Sequence, residues 1–333
     1  MVGTDGLHAG AASAIGSLPY LDADWAARVI LDAAPKLPAV PELTRASPAS
    51  TLLGAVAAAV PGLVMTSAGL QATRPIDPEI DLDVGPHPER DAGLFALLAA
   101  ADDSLPAIKV QVPGPVTVAT ALTATGMPVA DASRLALRYA RARAAALLDH
   151  VVDALPVTVP VVCFDEPGLV TLADDRAVMT TSEAIDAIAE ALADVESIGV
   201  GAVHCCGRTD WGAVLQTGAE IVFAPLEHGL EELPGAVGAH LDRGGWIGWG
   251  VVPTDEPLGT TGERSWKRLA EIWCSMVRAG CDPLRLRTQA LVTPDCGLAG
   301  HGESQAERVL DVTASVAAKA HDQVVAVRFA VGA

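Results

Sequence analysis

Short apolar, β-branched runs alternate with alanine-rich helical stretches along almost the whole chain, and this alternation limits the fold more than any other feature. The predicted strands are Ala12–Ser17, Leu63–Ser67, Ala107–Val112, Thr158–Phe164, Gly199–His204, Glu220–Ala224, Gly245–Gly250 and Leu286–Val292. Helical patterns lie at Ala23–Ala33, Ala130–Ala154, Ser182–Val195, Trp211–Gln216, Gly229–Asp242, Gly262–Arg278 and Ser304–Ala320. Strand–helix–strand units of this kind build parallel sheets. Apolar strands without clean alternation belong to a sheet covered on both faces. Eight such strands predict an α/β fold, a single (β/α)8 TIM barrel occupying residues 1–333 as one domain. A doubly wound sheet fits less well, because no G-x-G-x-x-G turn follows the first strand. The stretch Leu43–Ala100, rich in Pro and Asp, is the least regular.

Half of the 333 residues are hydrophobic, which excludes disorder and supplies a large core. The formal charge of −19 argues against nucleic acid or an anionic membrane as partner, since both select clustered Lys and Arg. The most apolar stretch, Leu52 to Met65, is broken by Pro61 and is shorter than the roughly 20 residues a spanning helix needs. Met1–Gly10 carries Asp5 and no basic residue, unlike a secretory signal, so a cytoplasmic location is expected. In that setting the six cysteines are reduced thiols or metal ligands rather than a disulfide framework.

Barrel enzymes carry their chemistry at the C-terminal ends of the strands. Four polar groups fall there: Gly16-Ser17, Asp165-Glu166-Pro167, His204-Cys205-Cys206-Gly207 and Thr293-Pro294-Asp295-Cys296-Gly297. His204 and Cys206 are two residues apart, so on an extended chain their side chains point the same way. Imidazole and thiolate together suit zinc, and Cys296 from another strand end completes three protein ligands with one position open. Taken alone, Cys206 reads first as a small buried hydrophobe and His204 first as a hydrogen-bonded core histidine, while a helix N-cap competes for Asp165, so the metal reading rests on the groups falling together at strand ends. Trp246 and Trp249 flank a strand end and are candidates for the pocket mouth.

Four segments carry a family resemblance: Ile15-Gly16-Ser17-Leu18-Pro19, Gly114-Pro115-Val116-Thr117, Phe164-Asp165-Glu166-Pro167, and His204-x-Cys206 with Pro294-Asp295-Cys296-Gly297-Leu298. In this order and spacing the chain resembles the catalytic domain of cobalamin-independent methionine synthase, within the uroporphyrinogen-decarboxylase-like barrel group. The N-terminal folate-binding barrel of the full-length enzymes has no counterpart in the sequence. The resemblance implies zinc held by His204, Cys206 and Cys296, with Glu227, slightly late after its strand, as the fourth ligand. It implies homocysteine as acceptor. Ser17 and the Ile15 backbone would take the carboxylate, and Asp165, with Glu42 as a second partner, the ammonium group. No aromatic residue follows Gly114–Thr117 to stack on a pterin. Gly250-Val-Val-Pro-Thr-Asp255 has Asp255 where the family carries a histidine that protonates the leaving group. The methyl donor therefore stays open between methyl-folate and a methylated corrinoid or corrinoid protein.

The leading expectation is a zinc-dependent S-methyltransferase that converts homocysteine to methionine, the metal lowering the thiol pKa. Alkyl transfer to a coenzyme thiol would keep the zinc and lose the amino-acid contacts. A decarboxylase would need no thiolate–metal site, and a non-catalytic paralogue would bind zinc or an amino acid without turnover.

Overall fold

A computed structural model describes residues 4–173, 177–259 and 261–331. Two short strands, β1 (Leu63–Thr66) and β2 (Gly69–Ala72), form an antiparallel hairpin by themselves. The remaining six, β3 (Ala107–Pro113), β4 (Val159–Asp165), β5 (Val200–His204), β6 (Ile221–Pro225), β7 (Trp246–Val252) and β8 (Ala290–Pro294), make one parallel sheet in sequence order. Helices alternate with them, from Pro115–Ala124 and Val129–Ala154 after β3 to Glu303–Val331 after β8. β3, β5, β6, β7 and β8 are buried along their whole length, as a sheet covered on both faces must be.

The expectation of eight regular strands is corrected in three places. Leu63–Ser67 belongs to the separate hairpin, whose turn is closed by Thr66 Oγ1 donating to the Gly69 carbonyl at 2.9 Å. Val64 and Met65 are exposed there, so no second layer covers this strand. Ala12–Ser17 is extended, yet it joins the sheet only through the single parallel bridge Ala12–Val292. A second extended segment, 38–42, which the sequence pattern does not reveal, bridges Ala39 to Lys109 and Glu42 to Ser17. Hydrogen bonds therefore run from β8 through both segments to β3. Pro38 and Pro41 lack an amide hydrogen, which prevents a continuous ladder there. The start of Leu286–Val292 is likewise helical. Pro283–Thr288 forms a helix capped by Asp282, and β8 begins only at Ala290.

The core divides in two. Residues of one parity along the strands, among them Ala107, Val161, Cys163, Val200, Ala202, Ile221 and Phe223, form a small inner cluster, and the other parity packs against the helices in a larger outer one. Lys109, Asp165 and His204 continue the inner rows of β3, β4 and β5. Trp246 starts β7 in the inner cluster and Trp249 sits in the outer core, so neither stands at a pocket mouth. Among the described residues no helix is long and apolar enough to cross a membrane.

Candidate active site

Asp165 ends β4 and His204 ends β5, directly opposite each other in the parallel register. Their inward parity brings His204 Nδ1 to 3.1 Å from Asp165 Oδ1, with both residues buried. Cys163, two residues earlier on the same face, directs its thiol to the same Oδ1 at 3.8 Å, which leaves Oδ2 for another partner. The opposite ring nitrogen, His204 Nε2, is buried and has no hydrogen-bond partner. A buried nitrogen in that state costs free energy unless a further group meets it. Asp165 is thus a partner of His204 and not an N-cap.

Past the ends of β5 and β8, Cys206 and Cys296 line one cavity, close enough for their thiols to interact. The hydrogen bond from Cys296 lowers the Cys206 pKa, while the same contact and burial push Cys296 well up. His204 is near enough for a charge on its ring to favour the Cys296 thiolate. Both cysteines line a cavity of about 420 Å³ together with Glu227, His228, Asp255, Arg268 and Asp295. Glu227 follows β6 and is the one non-glycine residue with positive φ, 63°, among the described residues. That conformation costs about 1 kcal/mol or more. Its exposed carboxylate pairs with Arg268 at 2.6 and 3.1 Å, which lowers its pKa. Asp255 is exposed on the cavity wall. Burial raises the neighbouring Asp295 carboxyl, which accepts from Thr254 N and Oγ1 at 3.0 and 2.8 Å.

On the other side, the Ile15-Gly16-Ser17 turn and Glu42 are locked together by Glu42 N to Gly16 O at 2.9 Å and Leu18 N to Glu42 O at 3.0 Å. The Cys296 loop docks on this turn through Leu298 N to Ser17 O at 2.7 Å. A Cβ on Gly297 would come within 2.0 Å of Ser17 Oγ, so any larger residue would force the Ser17 hydroxyl to turn away. Burial and the nearby Asp165 charge push the Glu42 carboxyl up to about 8.

The remaining two motifs serve architecture. Glu166, fully buried, accepts from Val116 N (2.9 Å), Thr117 N (2.7 Å) and Thr117 Oγ1 (2.6 Å) at the N-terminus of helix Pro115–Ala124. A carboxylate suits that helix end. A Cβ on Gly114 would sit 2.2 Å from the Glu166 carboxyl carbon. Burial still moves Glu166 up to about 7.

The structure therefore gathers Ile15, Ser17, Glu42, Asp165, His204, Cys206 and Cys296 on one end of the sheet, with Glu227 and Asp255 on the wall of the cysteine-lined cavity. Among the described residues no group of three His, Cys, Asp or Glu side chains already stands at metal-holding positions. Asp295 lies within a strand-end group that the sequence already singles out, whereas Arg268 and Lys109 are additions that sequence reasoning missed. Of these two only Lys109 carried a signal, as the one charge inside the predicted strand Ala107–Val112.

No protein-family model and no curated protein matches the sequence. The fold is shared with solved structures. A protein assigned as vitamin-B12-independent methionine synthase from Listeria monocytogenes superposes with a TM-score of 0.58 at 16% identity, over 89% of this chain and 85% of that one. A methyltransferase from Methanosarcina mazei gives 0.51 at 16% identity, over 82% and 77%. At this identity the likeness shows the fold.

Proposed function

We propose that the chain is a zinc-dependent S-methyltransferase with homocysteine as acceptor, built on an eight-stranded barrel whose first two strands are the irregular segments 12–17 and 38–42. The observation that carries this reading is the buried, unpartnered Nε2 of His204, with the interacting thiols of Cys206 and Cys296 past the ends of the same sheet. One imidazole nitrogen and two sulfurs suit zinc in donor type. Side-chain rotation would bring them together, and Glu227, once released from Arg268, would be the fourth ligand. Bound there, zinc would keep the acceptor sulfur as thiolate near neutral pH. The methyltransferase and methionine-synthase descriptions of the two structural neighbours favour the same class.

The chain's own residues divide the remaining work. Asp165 Oδ1 holds Nδ1 of His204 as the donor, so Nε2 stays a free lone pair. Ser17 and the Ile15 backbone would take the acceptor carboxylate. Asp165 Oδ2 and Glu42 would take its ammonium group. Asp255, exposed on the cavity wall, would protonate a leaving group that needs a proton. The donor would be methyl-folate or a methylated corrinoid, entering through the cavity between Glu227, Asp255 and Arg268.

Zinc per chain in metal-replete wild type and Cys296→Ser tests the reading, followed by methionine formation from homocysteine with methylcobalamin and methyl-folate. About one zinc in wild type, largely lost in the variant, with methyl transfer from either donor, is the expected result. Wild type without zinc would overturn it.

A further inference from the structure

Lys109 lies in the middle of β3 with 0% exposure, its side chain on the inner row of the sheet. A buried ammonium is costly unless a counter-charge meets it. Its nitrogen instead donates to the Ile15 carbonyl at 2.8 Å and lies 5.1 Å from the centre of the Phe223 ring. It forms no ion pair with a carboxylate among the described residues. Glu42 is within reach of its field, but with a carboxyl pushed up to about 8 it is mostly neutral at pH 7 and leaves the charge uncompensated.

The Ile15 carbonyl accepts a second bond, from Gln111 Nε2 at 2.7 Å. In a trans peptide the carbonyl and the following N–H point in opposite directions. With the Ile15 carbonyl fixed inward on Lys109 and Gln111, the Gly16 N–H faces the other way. Among the described residues no acceptor takes the N–H groups of Ile15, Gly16 or Ser17. Successive free N–H groups in a turn form an anion cradle. A charge-assisted bond on the carbonyl side polarises the peptide and strengthens its N–H as a donor.

We propose that Lys109 is the counter-charge for the carboxylate of the bound acceptor, acting through the Ile15–Gly16 peptide as a positioning residue. The proposal rests on the acceptor reading above and adds the origin of its carboxylate selectivity. Lys109 does not touch the acceptor. It orients the turn and supplies a positive field behind it, and the acceptor anion in turn neutralises the buried ammonium.

The test is calorimetric binding to zinc-loaded full chain of homocysteine and of 3-aminopropane-1-thiol, which keeps the thiol and the amine but lacks the carboxylate. Lys109→Met is expected to weaken homocysteine by about tenfold or more and to leave 3-aminopropane-1-thiol within about twofold. Gln111→Met removes the second donor to the same carbonyl, and a smaller loss with the same carboxylate dependence is expected. It also keeps the proposal testable should Lys109→Met fail to fold. An equal loss for both thiols, or no loss for homocysteine, overturns the role of Lys109 while the acceptor reading stands. Wild type that binds neither thiol overturns both.

Discussion

Asp165 and His204 stand at the same level of neighbouring parallel strands, with Asp165 Oδ1 3.1 Å from His204 Nδ1. With Asp165 as acceptor, Nδ1 carries the ring proton, and the buried Nε2 is left without a hydrogen-bond partner. In Asp165→Asn the amide can donate to Nδ1 and move the ring proton to Nε2, which would remove the lone pair proposed to bind zinc. A fall in zinc affinity of about 10–100-fold is expected, read by competition with a chelator. Unchanged affinity would separate Asp165 from the metal site.

The two thiols are unequal. Cys206 is shifted toward the thiolate by its contact with Cys296, whereas Cys296 is shifted away from it. In zinc-free protein near neutral pH, iodoacetamide is expected to modify Cys206 several-fold faster than Cys296, as followed by peptide mass mapping. Faster modification of Cys296 would contradict the assigned direction of the bond.

In the proposed site Glu42 would tie acceptor binding to pH. Its folded pKa, about 8, lies above the ordinary 4.5, so the folded state favours the protonated form. The associated stability is present below the ordinary value and is lost as pH rises from about 4.5 through about 8. Glu166, raised to about 7, adds to the same slope, so Glu42→Gln should flatten only part of the decline in Tm. An ammonium group beside Glu42 favours the carboxylate, so homocysteine binding at pH 7 should release a proton. Calorimetry in buffers of different ionisation enthalpy measures this, and Glu42→Gln should lower the release to the proton lost by the acceptor thiol alone.

Thr117 joins two motifs by donating to Glu166 and accepting from Gly168 N at 2.9 Å. Thr117→Val keeps the shape, leaves the buried Gly168 N without its acceptor and removes one of the three donors to Glu166. A loss of about 1–3 kcal/mol in urea denaturation is expected, with zinc content unchanged.

Arg268 competes for the carboxylate assigned to the metal. Its pair with Glu227 is partly exposed and worth at most about 1 kcal/mol. Arg268→Ala should therefore tighten zinc by up to about fivefold, and Glu227→Gln should weaken it. Equal zinc affinity in wild type and both variants would exclude Glu227 as a ligand.

The alternation of continuous apolar runs and alanine-rich helices determined by itself the parallel α/β class and six of the strands to within two residues at every boundary but the start of β8. The same reading located His204, Cys206, Cys296, Asp165 and Ser17 at strand ends, because strand parity and strand ends are local properties. The hairpin Leu63–Ala72 and the segment 38–42 were beyond it. A four-residue apolar run looks the same whether it pairs with a sheet or with its own neighbour, and Pro38 and Pro41 erase the strand pattern. Tertiary structure alone decided that Asp165 serves His204, that Glu166 caps a helix some fifty residues away in sequence, and that Lys109 holds the turn at Ile15. Each is a contact between segments distant in sequence, set by sheet register and helix packing, and a one-dimensional pattern contains neither.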